Sequence, residues 1–267
     1  EKSSLLAEYL SGLLLSIQRG LPKRAWDWQA AVLTIALVQH AATRLAMSEW
    51  VPFLRVVIIL SFYAVSLGLI IGYSSLTRRN TIWVGIEYGL LLIPMQLLKT
   101  IEPTDLLYMD LRGLLIRLFD SLIFLAQNQP VYDTLFFLTL ASLGFWMIGL
   151  HAGYQLARHG NFLKTTIPSG MVMLIVQIYD PWVSLRAWSL AFYIFFALAL
   201  LGRFNFLENK NGWKTKRVFN TSDSEWDISR SAMTFAAIAV FAAWALPGAL
   251  KSVKPIAKAW NDFTHPI

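Results

Sequence analysis

The chain reads as an all-α, polytopic membrane protein with about seven membrane-spanning helices, and three observations carry that reading. Hydrophobic residues make up 56% of the 267 residues and charged residues 15%, with a mean hydropathy of +0.52, more apolar surface than a soluble fold of this length can hide. The apolar residues fall in long runs that match the roughly 30 Å hydrocarbon core of a bilayer. The aromatic share is high, with 17 Phe, 11 Trp and 9 Tyr, as expected where amphipathic rings settle at membrane interfaces. A net charge of +7 would suggest nucleic acid in a soluble protein. Here the basic residues lie mainly between apolar runs, where they set topology, so no nucleic-acid partner is expected.

Taken in order, residues 1–25 carry a short apolar patch from Leu5 to Ile17, interrupted by Glu8 and Ser11 and followed by Arg19, Lys23 and Arg24. That pattern predicts an interfacial helix, and no signal peptide is expected from it. A membrane domain over 26–250 follows, with spans predicted at about 27–47, 53–75, 81–98, 131–156, 164–179, 183–202 and 228–249. The third span holds Glu87, Pro94 and Gln96; the fifth is short and holds Pro168 and Gln177. Polar or helix-breaking residues at membrane depth need protein or water around them, so both spans are expected to face the bundle interior.

Between the third and fourth spans, residues 104–126 separate Asp105, Asp110, Arg112, Arg117 and Asp120 from Leu107, Leu111, Leu114, Leu115, Leu118 and Leu122 on a helical wheel. This predicts an amphipathic helix on the outer membrane face, ended by Asn128-Gln129-Pro130. An eighth span is the alternative, at the cost of several charges in lipid. Residues 251–267 form an extracytoplasmic juxtamembrane tail in this scheme.

Orientation follows from the basic residues. With the N-terminus inside, the inner side collects fourteen of the 23, namely Lys2, Arg19, Lys23, Arg24, Arg78, Arg79, Arg158, Lys164, Arg203, Lys210, Lys214, Lys216, Arg217 and Arg230. The reading is therefore a bacterial plasma-membrane protein with a cytoplasmic N-terminus and an extracytoplasmic C-terminus. No internal repeat marks an inverted-repeat transporter.

The run "LLGRFNFLENKNGWKTKRVFNTSDSEWDISRSAMTFAAIAVFAAWALPG" resembles the last loop and last helix of the N-terminal membrane domain of bacterial, Chloroflexi-type transglutaminase-like membrane proteins. Arg203, Leu207, Glu208, Trp213, Trp226, Asp227 and Arg230 stand where that family has its Arg, Leu-Glu, Trp, Trp-Asp and Arg. The tail "PIAKAWNDFTHPI" resembles the segment that leads to the ectodomain. About fifty residues are specific in this likeness; over the rest the order of apolar runs fits. The resemblance implies a membrane domain that precedes an extracytoplasmic papain-type domain with a Cys, His and Asp triad. This chain contains no cysteine, so it is expected to be the membrane portion without the catalytic one, and no catalytic residue carries over.

Within the bundle, His40 and His151 fall inside spans, where neutral imidazole can ligate a haem, a metal or a chlorophyll-type pigment, or simply hydrogen-bond between helices. No second histidine stands at helical spacing, and His159 and His265 are expected to be solvated. Glu87 is the carboxylate deepest in a span, read either as a proton carrier sharing a wall with Gln96 or as a structural acid bonded to a neighbouring helix. Asp227 and Arg230 read first as a helix start behind Ser222, Asp223, Ser224 and Glu225, and beyond that as a tie for the sixth loop. Its Lys210 to Arg217 basic patch can meet anionic lipid heads. Gly68 and Gly72 in the second span, and more loosely Gly144, Gly149 and Gly153 in the fourth, allow close helix contact.

These features predict a membrane anchor or scaffold that presents an extracytoplasmic domain or docks to other membrane proteins, not an enzyme, with the lipid bilayer as its first partner. No metal site or cofactor is predicted. Pigment, quinone or lipid enters in a second reading, an accessory integral-membrane subunit of a photosynthetic or respiratory complex. A third reading is a transporter or membrane enzyme using Glu87 and His151.

Overall fold

A computed structural model describes residues 27–101, 106–180, 186–215 and 222–251. The predicted interfacial segment 1–25 and the tail beyond Lys251 lie outside these residues. The described residues form eight helices: α1 Trp28–Ala46, α2 Arg55–Tyr73, α3 Arg78–Leu98, α4 Leu107–Ala126, α5 Thr134–Tyr154, α6 Phe162–Tyr179, α7 Arg186–Thr215 and α8 Ser222–Lys251. A wide π turn, Gln155–His159, prolongs α5. The all-α class stands. Five of the helical stretches are long and apolar enough to cross a membrane: α2, α3, α5 with its π turn, α6, and Trp188–Leu207 of α7. Among the described residues five meet that measure; α1 is diluted by Gln29, Thr34, Gln39, His40 and Arg44, and the stretch of α8 whose side chains are described, Arg230–Trp244, is apolar but shorter than the measure requires.

Helix starts follow local chemistry. Asp27 accepts the Ala30 amide at 2.8 Å, Thr77 accepts Asn80 at 3.3 Å, and Asp133 accepts Leu135 at 2.9 Å, each satisfying an otherwise open N–H at the head of α1, α3 or α5. Helix α2 differs, since Leu54 at its cap offers no side-chain acceptor. Gly160 ends the π turn with φ 57°, a left-handed backbone that glycine adopts without strain.

The chain divides into two compact units, residues 1–176 and 177–267. In the first, α2 and α5 form the central pair, with α1 and α3 packed against both and α4 against α3 and α5. Two glycine pairs at i, i+4 spacing face each other across the central pair. A Cβ at Gly68 would run into the carbonyl of Leu150, and one at Gly153 into the carbonyl of Val65. A Cβ at Gly149 would stand 2.9 Å from that of Ala64. Backbones approach this closely only where side chains are missing, which is how helices associate in a solvent as apolar as they are. Gly144, grouped with this motif by sequence, meets nothing within 4 Å and faces away.

In the second unit, α7 and α8 pack together. Helix α7 runs to Thr215, past the predicted span end at 202, so the expected sixth loop is in good part helix. Helix α8 opens at Ser222, five residues before Asp227, so Asp227 lies in its second turn and not at its start.

Candidate functional site

The glycines of α3 decide where its polar residues go. Thr81, Gly85, Gly89, Ile93 and Leu97 recur at four-residue spacing and form the buried stripe. Leu150 of α5 fills the space above Gly85, and the Trp146 indole lies over Gly89, where its Nε1 would be 2.8 Å from an added Cβ. The same indole donates to the Gly85 carbonyl at 3.0 Å in a buried bond between α5 and α3. Glycine here removes bulk and exposes a carbonyl, and tryptophan uses both.

This stripe corrects the inward placement of Glu87. Two residues from Gly85 is about 200° around a helix, and Glu87 is exposed on the opposite face. Its surroundings on that face are apolar: Trp83, Leu90 and Leu91 are all exposed, Leu90 by 71%. Gln96 lies nine residues on, half a turn out of phase with Glu87, and is buried. The two do not share a wall. On α6, Thr165, Thr166, Ser169, Met173 and Val176 are buried, Pro168 is half-buried, and the side-chain carbonyl of Gln177 is buried.

The histidines separate too. His40 is half-buried on α1, whereas His151 is exposed on α5 and does not turn toward the interior. Among the described residues, no three His, Asp or Glu side chains converge as a metal site. His159 is exposed in the π turn, its ring edge-on to Tyr154 with centroids 5.7 Å apart; His265 lies outside the described residues. In the second unit, Arg203 is buried with its guanidinium 4.9 Å over the Phe206 ring, and Arg230 is exposed. Glu208, Trp213, Trp226 and Asp227 fall in α7 and α8, and their side chains lie outside the described set.

Three arginines emerge with roles that charge counting alone missed. Arg44, in the last turn of α1, is 1% exposed, a position where a cation complements the negative end of the helix dipole. Arg158, in the π turn, donates to the carbonyl of Ser74 at 2.6 Å and to that of Leu76 at 3.4 Å, tying the end of α5 to the end of α2. Arg117 of α4 grips Asp133 with two bonds, Nε to Oδ2 at 2.9 Å and Nη2 to Oδ1 at 2.7 Å. Asp133 thereby holds α4 while capping α5, and the Arg117 hydrogen bonds hold its carboxyl below the usual carboxylate pKa against a smaller opposing push from burial. Asp133 sits beside the predicted start of the fourth span at 131, but Arg117 lies mid-helix, and the fork between them could not be read in advance.

Helix α4, Leu107–Ala126, occupies the segment for which a surface helix over 104–126 is expected. Only Leu114 and Ser121 of it are buried, and they lie on the border between the charged and leucine faces. The leucine face, including Leu107, Leu115 and Leu122, stays exposed. No family model, curated protein or solved structure matches the chain.

Proposed function

We propose that the chain is a membrane anchor or scaffold that docks to another integral membrane protein through the outer face of α3. The carrying observation is Glu87, an exposed carboxyl between Trp83 and Leu91 on a helix apolar enough to span. Leaving an acid against hydrocarbon costs about 2.5–3.5 kcal/mol on insertion scales. A partner helix offering a basic or hydrogen-bond-donating side chain removes that cost and covers the apolar face with it. The occupant is thus an integral membrane protein with a complementary polar group at the same depth. An accessory-subunit role in a larger membrane assembly rests on the same face.

In this reading the bundle has seven spans, with α1 and α8 joining the five. The polar residues of α1 are shielded because Gln29, Thr34 and Arg44 turn inward, and the 30 residues of α8 reach about 45 Å. The basic residues support a cytoplasmic N-terminus in a bacterial plasma membrane. The resemblance of the α7–α8 region to the transglutaminase-like membrane family supports presentation of an extracytoplasmic domain at the C-terminal side.

A photoreactive residue at position 90 or 91 tests the docking face in native membranes. The expected product is a stoichiometric cross-link to one membrane protein, lost in Glu87→Leu while helix content is retained; cross-links to lipid alone would overturn the reading. An intact mass of the native gene product well above 30.3 kDa supports the presented domain, and a mass equal to it removes that part.

A further inference from the structure

The turn between α1 and α2 and the end of α3 line an open cleft of about 680 Å³, within the size range of small-molecule and lipid-head sites. One wall is apolar, made by Phe53, Val56 and Ile59. The mouth carries two exposed cations, Arg55 at the first position of α2 and Lys99 just past α3, with Glu49 as the single carboxylate among the lining residues. Arg55 sits at the positive end of its helix dipole, where a cation is disfavoured and an anion welcome. The uncapped start of α2 at Leu54 adds to the same field.

A further residue marks this as a built site. Gln96 lines the cavity and is 8% exposed, yet among the described residues its amide has no hydrogen-bond partner. The amide is open to the cavity and its donors and acceptor are uncommitted, so a ligand that enters can bond to it. Neighbouring Thr100 is already satisfied by the Leu97 carbonyl at 2.7 Å. Glu49 and Phe53, both lining the cavity, are two of the three non-glycine residues with positive φ among the described residues, at 49° and 65°. For a side chain as bulky as Phe53 that backbone is strained, and strain of this kind collects at binding sites.

We propose that this cavity binds a phospholipid. Its phosphate sits between Arg55 and Lys99, an ester carbonyl accepts from the Gln96 amide, and an acyl chain runs along Val56 and Ile59. Helix α2 begins at Arg55 and α3 ends at Leu98, and both are apolar and long enough to span. The mouth therefore lies where hydrocarbon gives way to head groups, and a basic cleft between helices at that level suits a lipid phosphate. This site is independent of the docking face, because Gln96 lies on the opposite side of α3 from Glu87.

Native mass spectrometry of the delipidated protein tests it, with phosphatidylglycerol, the matching diacylglycerol and free glycerol phosphate as probes. The phospholipid is expected to bind at one site. Loss of the phosphate in diacylglycerol, or of the chains in glycerol phosphate, should each weaken binding about tenfold or more. Arg55→Gln with Lys99→Gln should weaken phospholipid binding about tenfold and Gln96→Leu several-fold, while Arg79→Gln, at the far end of α3, should leave it unchanged. Equal binding of diacylglycerol would overturn the phosphate contact, and equal binding of glycerol phosphate would make this a soluble-anion site. Should the double variant fail to fold, a photoactivatable phospholipid on the unmodified protein decides: labelling within 49–59 and 96–100 supports the proposal, and labelling confined elsewhere overturns it.

Discussion

The α2–α5 seam and helix α4 are both rich in apolar residues, yet one is the centre of its unit and the other lies on its surface. The seam has glycine pairs on both helices, and neighbouring backbone fills the space that side chains would take. Helix α4 has a single glycine, Gly113, with nothing within 4 Å, and of its leucines only Leu114 is buried. In water, apolar content would bury both regions alike. In lipid, burial of apolar surface gives little drive between helices, so the ability to pack closely decides which helix becomes the centre.

The largest expected effect comes from filling the seam. Gly153→Leu or Gly68→Leu should cost about 3 kcal/mol or more, because backbone, not a movable side chain, stands where the new Cβ would go. Thermal or denaturant unfolding in detergent reads this, and Gly113→Ala and Gly144→Ala serve as the contrast. Those two should be neutral or stabilising by about 0.5–1 kcal/mol, since open space surrounds both glycines and alanine favours a helix. Equal effects at all four positions would break the distinction between seam and surface.

A smaller effect is expected at the edge of the seam. Trp146→Phe removes the donor to the Gly85 carbonyl while keeping much of the ring, and should cost about 0.5–1.5 kcal/mol. The same unfolding assay measures it.

Smallest in global stability, but selective for α4, is Arg117→Gln. The Arg117–Asp133 pair is partly exposed, with side-chain exposures of 48% and 23%, so solvent screening leaves it worth about 1 kcal/mol or less. Hydrogen exchange or labelling of α4 should nonetheless increase. Acid should mimic the substitution. Asp133 has a folded pKa below its ordinary value, so its contribution is complete above the ordinary carboxylate pKa and is lost as pH falls through the lowered folded value. Exchange in α4 should rise over that acidic window in the parent protein and change much less in Arg117→Gln.

Much of the helical layout was legible because a span must be a long apolar run and its ends need caps or charge. The predicted run 53–75 contains α2 at Arg55–Tyr73, and 164–179 nearly coincides with α6 at Phe162–Tyr179. Gly68, Gly72, Gly149 and Gly153 were also visible as a packing motif. Glu87 was legible as unusual but not as outward-facing. Cost logic sends an acid inward, and here the need of Trp146 and Leu150 for the space at Gly85 and Gly89 sets the rotation of α3. Arg44 stands in the last turn of α1, where nothing in the sequence marks it as buried, and the packing of α1 leaves it 1% exposed.

Composition and the spacing of apolar runs by themselves determined an all-helical membrane protein, the approximate position of each described helix, and a leucine-faced helix between α3 and α5. Only the tertiary structure decided which face of each helix looks inward, that α4 is held by Arg117 on Asp133, and that Gln96 lines a cavity with Arg55 and Lys99. The division has a physical cause. Hydropathy acts along one helix at a time, whereas rotation and neighbour choice depend on shape matching between helices, to which hydropathy is blind.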